Sequence, residues 1–193
     1  MGHATNEIID KAIVFATERH AGAVRKGTGR PYILHPLEAA VIVETMTEDA
    51  EVIAAAVLHD VMEDAGVTYA ELAQKLGPRV ADLVSVESEN KRTDRPAEST
   101  WKIRKSETLE RLKDAPIEEK MITLGDKLSN IKAIYRDQAE LGDALWSRFN
   151  CKDKSEHEWY YRSIAERTKE LDGTLAWQEY IAYLDNVFAE NYC

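Results

Sequence analysis

Apolar residues recur along this chain at intervals of three and four, and nowhere with the sustained alternation of a strand. Ile8, Ala12, Phe15 and Ala16, with Arg19, mark one stripe of a first helix over roughly residues 6–20. GAVRKGTGRPYILHP reads as a loop by its glycines and prolines, and Pro36 is expected at the first position of a second helix, PLEAAVIVETM. Asp49 is the expected N-cap of a third helix that runs on into HDVME. From Val52 to Leu58 this helix has no polar side chain, so it should lie at the centre of the fold.

The same pattern continues to the end. Thr68 and Glu71 form a capping box for TYAELAQKL, which Gly77 closes, and PRVADLVSVES follows as another helix. Residues 89–98, ENKRTDRPAE, are the most polar segment and the expected mobile loop. STWKIRKSETLERLKDA is helical up to Pro116, which begins a long helix with Met121, Leu124, Leu128, Ile131 and Ile134 on one stripe. Ser155 and Glu158 suggest a second capping box, for a helix stopped at Gly173. A last helix, roughly 175–190, carries Leu175, Tyr180, Ile181, Leu184 and Phe188. The expected fold is all-α, a single domain over residues 1–193 built as a bundle of about eight to ten helices.

Composition narrows the class. With 193 residues, 44% hydrophobic and 31% charged, the chain has the apolar mass for one globular core. No stretch approaches a membrane span, MGHATNEIID is too polar for a signal peptide, and Asn6 breaks the myristoylation pattern. Cys151 and Cys193 are too few and too far apart for a disulfide framework, so a cytoplasmic protein is expected. A net charge of −10 argues against nucleic-acid or anionic-membrane partners, which need a basic face. A small anionic ligand stays compatible, because a metal and a few Arg and Lys residues can make a local positive site.

The segment HDVMEDAG raises the chemical question. His59, Asp60, Glu63 and Asp64 stand within six positions at the C-terminal end of an apolar helix, where acids oppose the macrodipole. A solvated helix end is the plain explanation; a nearby cation is the better one. His59 and Asp60, about 100° apart around a helix axis, can reach one ion, with Glu63 and Asp64 one turn behind them. Further ligands must come from elsewhere. His35 precedes a helix, and Asp126 interrupts the apolar stripe between Leu124 and Leu128, where burial requires a metal or an ion pair with Lys127 or Arg136.

His35, His59, Asp60 and Asp126 together resemble the H…HD…D signature of the HD-domain metal phosphohydrolases. RKGTGRPYILHP, AAVLHDVMEDAGVT and LGDKLSN, in that order, are similar to blocks of the small stand-alone RelA/SpoT-type alarmone hydrolases, over about residues 12–135. Beyond that, from roughly residue 140 to 193, the chain is more divergent. The resemblance implies Mn²⁺ at His35, His59, Asp60 and Asp126, a ligand set that by its chemistry would also accept Zn²⁺ or Fe²⁺. It implies catalytic acids at Glu63 and Asp64, with Glu63 favoured for the water, and phosphate-clamping residues at Arg25 and Lys26. It also implies a nucleotide contact at Asn130 and an aromatic near the base at Tyr160 or Tyr161, of which Tyr161 is preferred.

Two departures bear on the substrate. VSVESENKR stands where relatives carry a valine-threonine-lysine segment, so Lys91 and Arg92 are expected to supply that charge. WKIRK, with Lys102, Arg104 and Lys105, and Arg148 in WSRFN have no counterpart in familiar members; Arg104 and Lys105 are taken as substrate contacts. Trp101, Trp146, Trp159 and Trp177 are expected to be packing residues. The expected activity is hydrolysis of the 3′-pyrophosphate of (p)ppGpp, by a monomer or homodimer with a hydrolase domain only. The alternatives are another nucleotide phosphohydrolase, acting on NADPH or a nucleotide monophosphate, and an inactive metal- or nucleotide-binding protein.

Overall fold

A computed structural model describes residues 3–88, 92 and 94–189, with side chains from residue 7 onward. Among the described residues the regular structure is helical: α1 (His3–Arg19), α2 (Leu34–Glu44), α3 (Ala50–Leu58), α4 (Val61–Asp64), α5 (Tyr69–Leu76) and α6 (Pro78–Glu87), then α7 (Ala97–Arg111), α8 (Ile117–Leu141), α9 (Lys154–Arg167) and α10 (Leu175–Phe188). Short 3₁₀ turns at Gly142–Arg148 and Lys169–Leu171 join the later helices. The only β pairing among the described residues is an isolated Val24–Pro31 bridge. The all-α expectation holds.

The apolar run of α3 sets the architecture. Val52 through Leu58 are all buried, packed between α1, α2, α6 and α8. Seven successive buried residues leave no polar face, which is why this short helix occupies the centre. Asp49 caps it as expected, accepting from the Glu51 N–H at 3.0 Å while Arg79 grips the same carboxylate. Thr68 likewise accepts from the Glu71 N–H at 3.2 Å, and Gly77 ends α5 at φ +93°. A second apolar cluster unites α8, α9 and α10 around Leu128, Ile131, Ile164, Tyr180 and Leu184.

Three local expectations are corrected. α2 begins at Leu34, so Pro36 is its third residue and His35 lies inside the first turn; proline is tolerated there because first-turn N–H groups have no intrahelical acceptor. The Ser155–Glu158 box is not formed: Asp153 caps α9, accepting from the Ser155 N–H at 2.9 Å, and Glu158 pairs with Arg162. The third helix does not run through HDVME but breaks at His59–Asp60 and restarts as α4. Residues 89–91 and 93 of the polar segment lie outside the described residues.

Gly125 decides how closely α8 approaches α2. A Cβ there would stand 2.7 Å from Val43 Cγ2 and 2.9 Å from the Ala39 carbonyl oxygen. The neighbouring residue, Asp126, is thereby brought against α2, which carries His35. Gly125→Ala is therefore expected to cost about 1–3 kcal/mol in thermal unfolding. A variant that melts as the parent does would refute this role for the close approach.

Candidate metal centre

Where α3 ends, its last carbonyls need donors. His59 Nδ1 lies 2.8 Å from the Ala56 carbonyl oxygen, so that nitrogen carries the proton and Nε2 presents its lone pair inward. Asp60 is the N-cap of α4 by position, yet its side chain makes no capping bond, and its carboxylate turns toward the same space. The helix break thus points His59 and Asp60 at one spot.

α2 and α8 complete the ring. His35 Nδ1 lies 2.9 Å from Ser129 Oγ, and the Ser129 hydroxyl donates to Glu38 Oε2 at 2.8 Å, which orients the second imidazole. His35 Nε2 is 3.2 Å from Asp126 Oδ1 and 3.5 Å from Asp60 Oδ2; His59 Nε2 is 3.0 Å from Asp60 Oδ2 and 3.6 Å from Asp126 Oδ1. The two rings meet edge to face with centroids 5.1 Å apart. His35, His59 and Asp126 place one donor atom each within 4.8 Å of one another, all three residues being buried.

The donor set fits a divalent cation. Buried His59 Nε2 has carboxylate oxygens at 3.0 and 3.6 Å but no well-aligned hydrogen bond, so a cation bound to that nitrogen and shared with the carboxylates would satisfy it. Outer partners hold each imidazole by its other nitrogen, as in metal sites generally. The electrostatics agree: burial alone would lower the His59 pKa, but the Asp60 and Asp126 carboxylates outweigh it and hold the imidazole well above its ordinary value. Burial would raise Asp60 and Asp126; the histidines, and Lys127 beside Asp126, hold both well below the carboxylate range. The cluster demands positive charge.

Around it opens a cleft of about 200 Å³ lined by Arg25, Tyr32, Glu63, Asp64, Glu87, Lys105, Thr108, Lys127 and Asn130 as well as the four histidine and aspartate side chains. Glu63 and Asp64 project from α4 into its wall. Arg25 donates to Asn130 Oδ1 at 2.7 Å, and Asn130 in turn donates to Asp126 Oδ1, so loop, nucleotide-site candidate and ligand form one chain. The ion pair of Asp126 with Lys127, weighed from sequence as an alternative to a metal, coexists with the cluster: Lys127 binds Oδ2 while Oδ1 faces the imidazoles.

Not every expected site residue reaches the cleft. Lys26 is exposed on the loop, and Arg104 is half-buried on α7 outside the cleft lining. Tyr161 is buried beside Tyr160, Tyr180 and Phe188 and offers no open face, because its ring is part of the α8–α10 core. Tyr160 is buried too and does not line the cleft; Lys105 and Lys127, which do, lie over its ring at 4.9 and 5.8 Å. Lys91 lies outside the described residues. Arg148 packs across Gly27, where a Cβ would meet its Cδ at 2.6 Å, and pairs with Asp137 at 3.2 Å.

Tyr32, Lys127, Glu87 and Ser129 were not legible as site residues. Tyr32 lies in RKGTGRPYILHP, where the resemblance gives roles to Arg25, Lys26 and His35 and none to the tyrosine. Glu87 ends α6 with its carboxyl raised by burial, against the opposing pull of Arg111 and Lys127, and nothing in its local sequence marks it.

The HD domain family model matches residues 12–149. The chain belongs to the HD domain family. Over 132 residues this HD domain is 36% identical to a guanosine-3′,5′-bis(diphosphate) 3′-pyrophosphohydrolase of Aquifex aeolicus, a match covering 67% of this chain and 18% of that protein. It is 43% identical over 74 residues to the bifunctional (p)ppGpp synthase/hydrolase SpoT of Escherichia coli, covering 38% of this chain and 10% of that one. The chain thus spans less than a fifth of the length of these curated relatives. A Listeria monocytogenes crystal structure superposes with a TM-score of 0.71 at 29% identity, covering 81% of this chain and 99% of its own. A metazoan ortholog of SpoT described as hydrolysing ppGpp superposes with a TM-score of 0.69 over 92% of this chain and 93% of its own; at 19% identity it shows the shared fold. No helix among the described residues is long and apolar enough to cross a membrane.

Proposed function

We propose that this HD domain hydrolyses the 3′-pyrophosphate of guanosine alarmones, converting (p)ppGpp to GDP or GTP and pyrophosphate with Mn²⁺ as its metal. The observation that carries the reading is the convergence of His35, His59 and Asp126, with Asp60 beside them, at one end of a cleft that also holds Glu63, Arg25 and Lys105. The names of the relatives supply the substrate class.

His35, His59, Asp60 and Asp126 would hold the metal, whose contribution when bound is to draw electron density from the phosphoryl group under attack. Glu63 takes a proton from the attacking water, whose oxygen bonds the phosphorus attached to the ribose 3′ oxygen. The P–O3′ bond breaks, and the 3′ oxygen leaves as a hydroxyl by taking up the proton that Glu63 accepted, while the remaining water proton stays on pyrophosphate. Asp64 aligns the acidic wall through Tyr32. Arg25, oriented by Asn130, and Lys105 neutralise substrate phosphates. The purine lies against Arg25 and Asn130, and Tyr161 supports that wall from the core without stacking on the base.

The test is incubation of the Mn²⁺-loaded protein with ppGpp and separation of the products by anion exchange. GDP and pyrophosphate are expected in equal amounts. Orthophosphate release, or an inert ppGpp alongside dephosphorylation of NADPH, would replace this substrate with another nucleotide.

A further inference from the structure

Carboxylates that serve as ligands and as base must be held at fixed angles. The terminal torsion of an aspartate is broad, so its rotamer alone does not decide which oxygen faces the imidazoles. The Tyr32 hydroxyl stands 2.6 Å from Asp60 Oδ2 and 2.8 Å from Asp64 Oδ2, and that same Asp60 Oδ2 faces both imidazoles, 3.0 Å from His59 Nε2 and 3.5 Å from His35 Nε2. We propose that Tyr32 is the positioning residue of the metal centre: its hydroxyl fixes the ligand oxygen of Asp60 and ties Asp64 to it. The inference rests on the metal-site reading of the cluster.

Three features make the hydroxyl the reference point. A phenol has a single proton, so here one donor is shared between two anions that would otherwise stand side by side. The ring is pinned from several directions: His20, itself buried, lies 4.9 Å away between centroids, His35 meets it edge-on at 5.9 Å, and the Arg25 guanidinium stands 5.8 Å from the ring. Its backbone is tied as well, with the Tyr32 N–H donating to Ala23 O at 2.9 Å beside the Val24–Pro31 bridge. Asp64, by contrast, is exposed on the four-residue helix α4. The ring is held on several sides, so its hydroxyl offers both carboxylates a donor at a fixed place.

Titration of the metal-free protein with Mn²⁺ alone, followed by calorimetry, tests this without any nucleotide. Tyr32→Phe keeps the ring and removes the oxygen; its dissociation constant for Mn²⁺ is expected to rise about 10–100-fold. At saturating Mn²⁺ its kcat should remain below that of the parent with KM little changed, because the bond that ties Asp64 to Asp60 through the hydroxyl is gone. Tyr32→Leu separates packing from hydrogen bonding. If Tyr32→Phe, shown by circular dichroism to be folded, binds Mn²⁺ as tightly as the parent while Tyr32→Leu does not, the tyrosine is a packing residue and the proposal fails. A parent protein that takes up no Mn²⁺ would remove the metal reading and this inference together. Loss of the substrate reading alone would appear as intact ppGpp with the difference in Mn²⁺ affinity still present.

Discussion

Asp60→Ala is expected to abolish Mn²⁺ retention and to lower kcat/KM by on the order of a thousandfold or more, the scale of losing several kcal/mol of transition-state charge stabilisation. Asp60 Oδ2 lies 3.0 Å from His59 Nε2 and accepts from Tyr32, so its removal takes away a proposed ligand and the link to Asp64 in one step. Metal content by elemental analysis and the ppGpp assay read the two losses separately. An active, metal-replete Asp60→Ala protein would show that the ligand set has been drawn wrongly. The pH dependence has a definite sign. In the metal-free protein His59, raised by Asp60 and Asp126 against the effect of burial, supplies the positive charge while protonated. That contribution is present below the unfolded pKa and is lost as pH rises through the higher folded value. The metal requires the neutral imidazole, so the melting-temperature gain on adding Mn²⁺ should widen with rising pH. In Asp60→Ala that gain should collapse.

Glu63→Gln is expected to keep the metal and lose turnover. The substitution preserves size and removes the proton acceptor, and general-base contributions of this kind are worth about 10²–10⁴ in kcat. Asp64 is bonded to Tyr32, whereas Glu63 lines the cleft from the first turn of α4. Mn²⁺ affinity should therefore stay within a few-fold of the parent and KM for ppGpp should change little. A parallel loss of Mn²⁺ binding would move Glu63 among the ligands; unchanged kcat would transfer the base to Asp64.

Much of the fold can be read without coordinates because it rests on local rules. The stripes of α1 and α8, the Asp49 and Thr68 caps and the Gly77 stop depend on residues at most one turn apart. The exceptions are equally physical. Asp153 rather than Ser155 caps α9 because the helix starts at Lys154, which puts Ser155 inside the first turn with its own N–H bonded to Asp153, and a one-dimensional motif does not choose between neighbouring candidates. The break at His59–Asp60 is invisible to periodicity, since an apolar run followed by acids looks the same whether the helix continues or restarts.

The four clustered side chains were nameable from residue type and order, because imidazoles and an isolated aspartate in apolar surroundings are costly there without a partner. Their convergence was not. It depends on Gly125 letting α8 meet α2 and on Ala56 drawing His59 Nδ1 outward. It depends also on a hairpin bringing the Tyr32 hydroxyl to within 2.8 Å of acids roughly thirty residues away. Tyr161 shows the converse: an aromatic in a suitable region turned into the core because α10 covers it. The sequence by itself determined which helices form, which one is central and which side chains demand a cation. Only the tertiary structure decided where their lone pairs meet and which neighbour aims them, because those depend on angles and contacts between segments far apart in the chain.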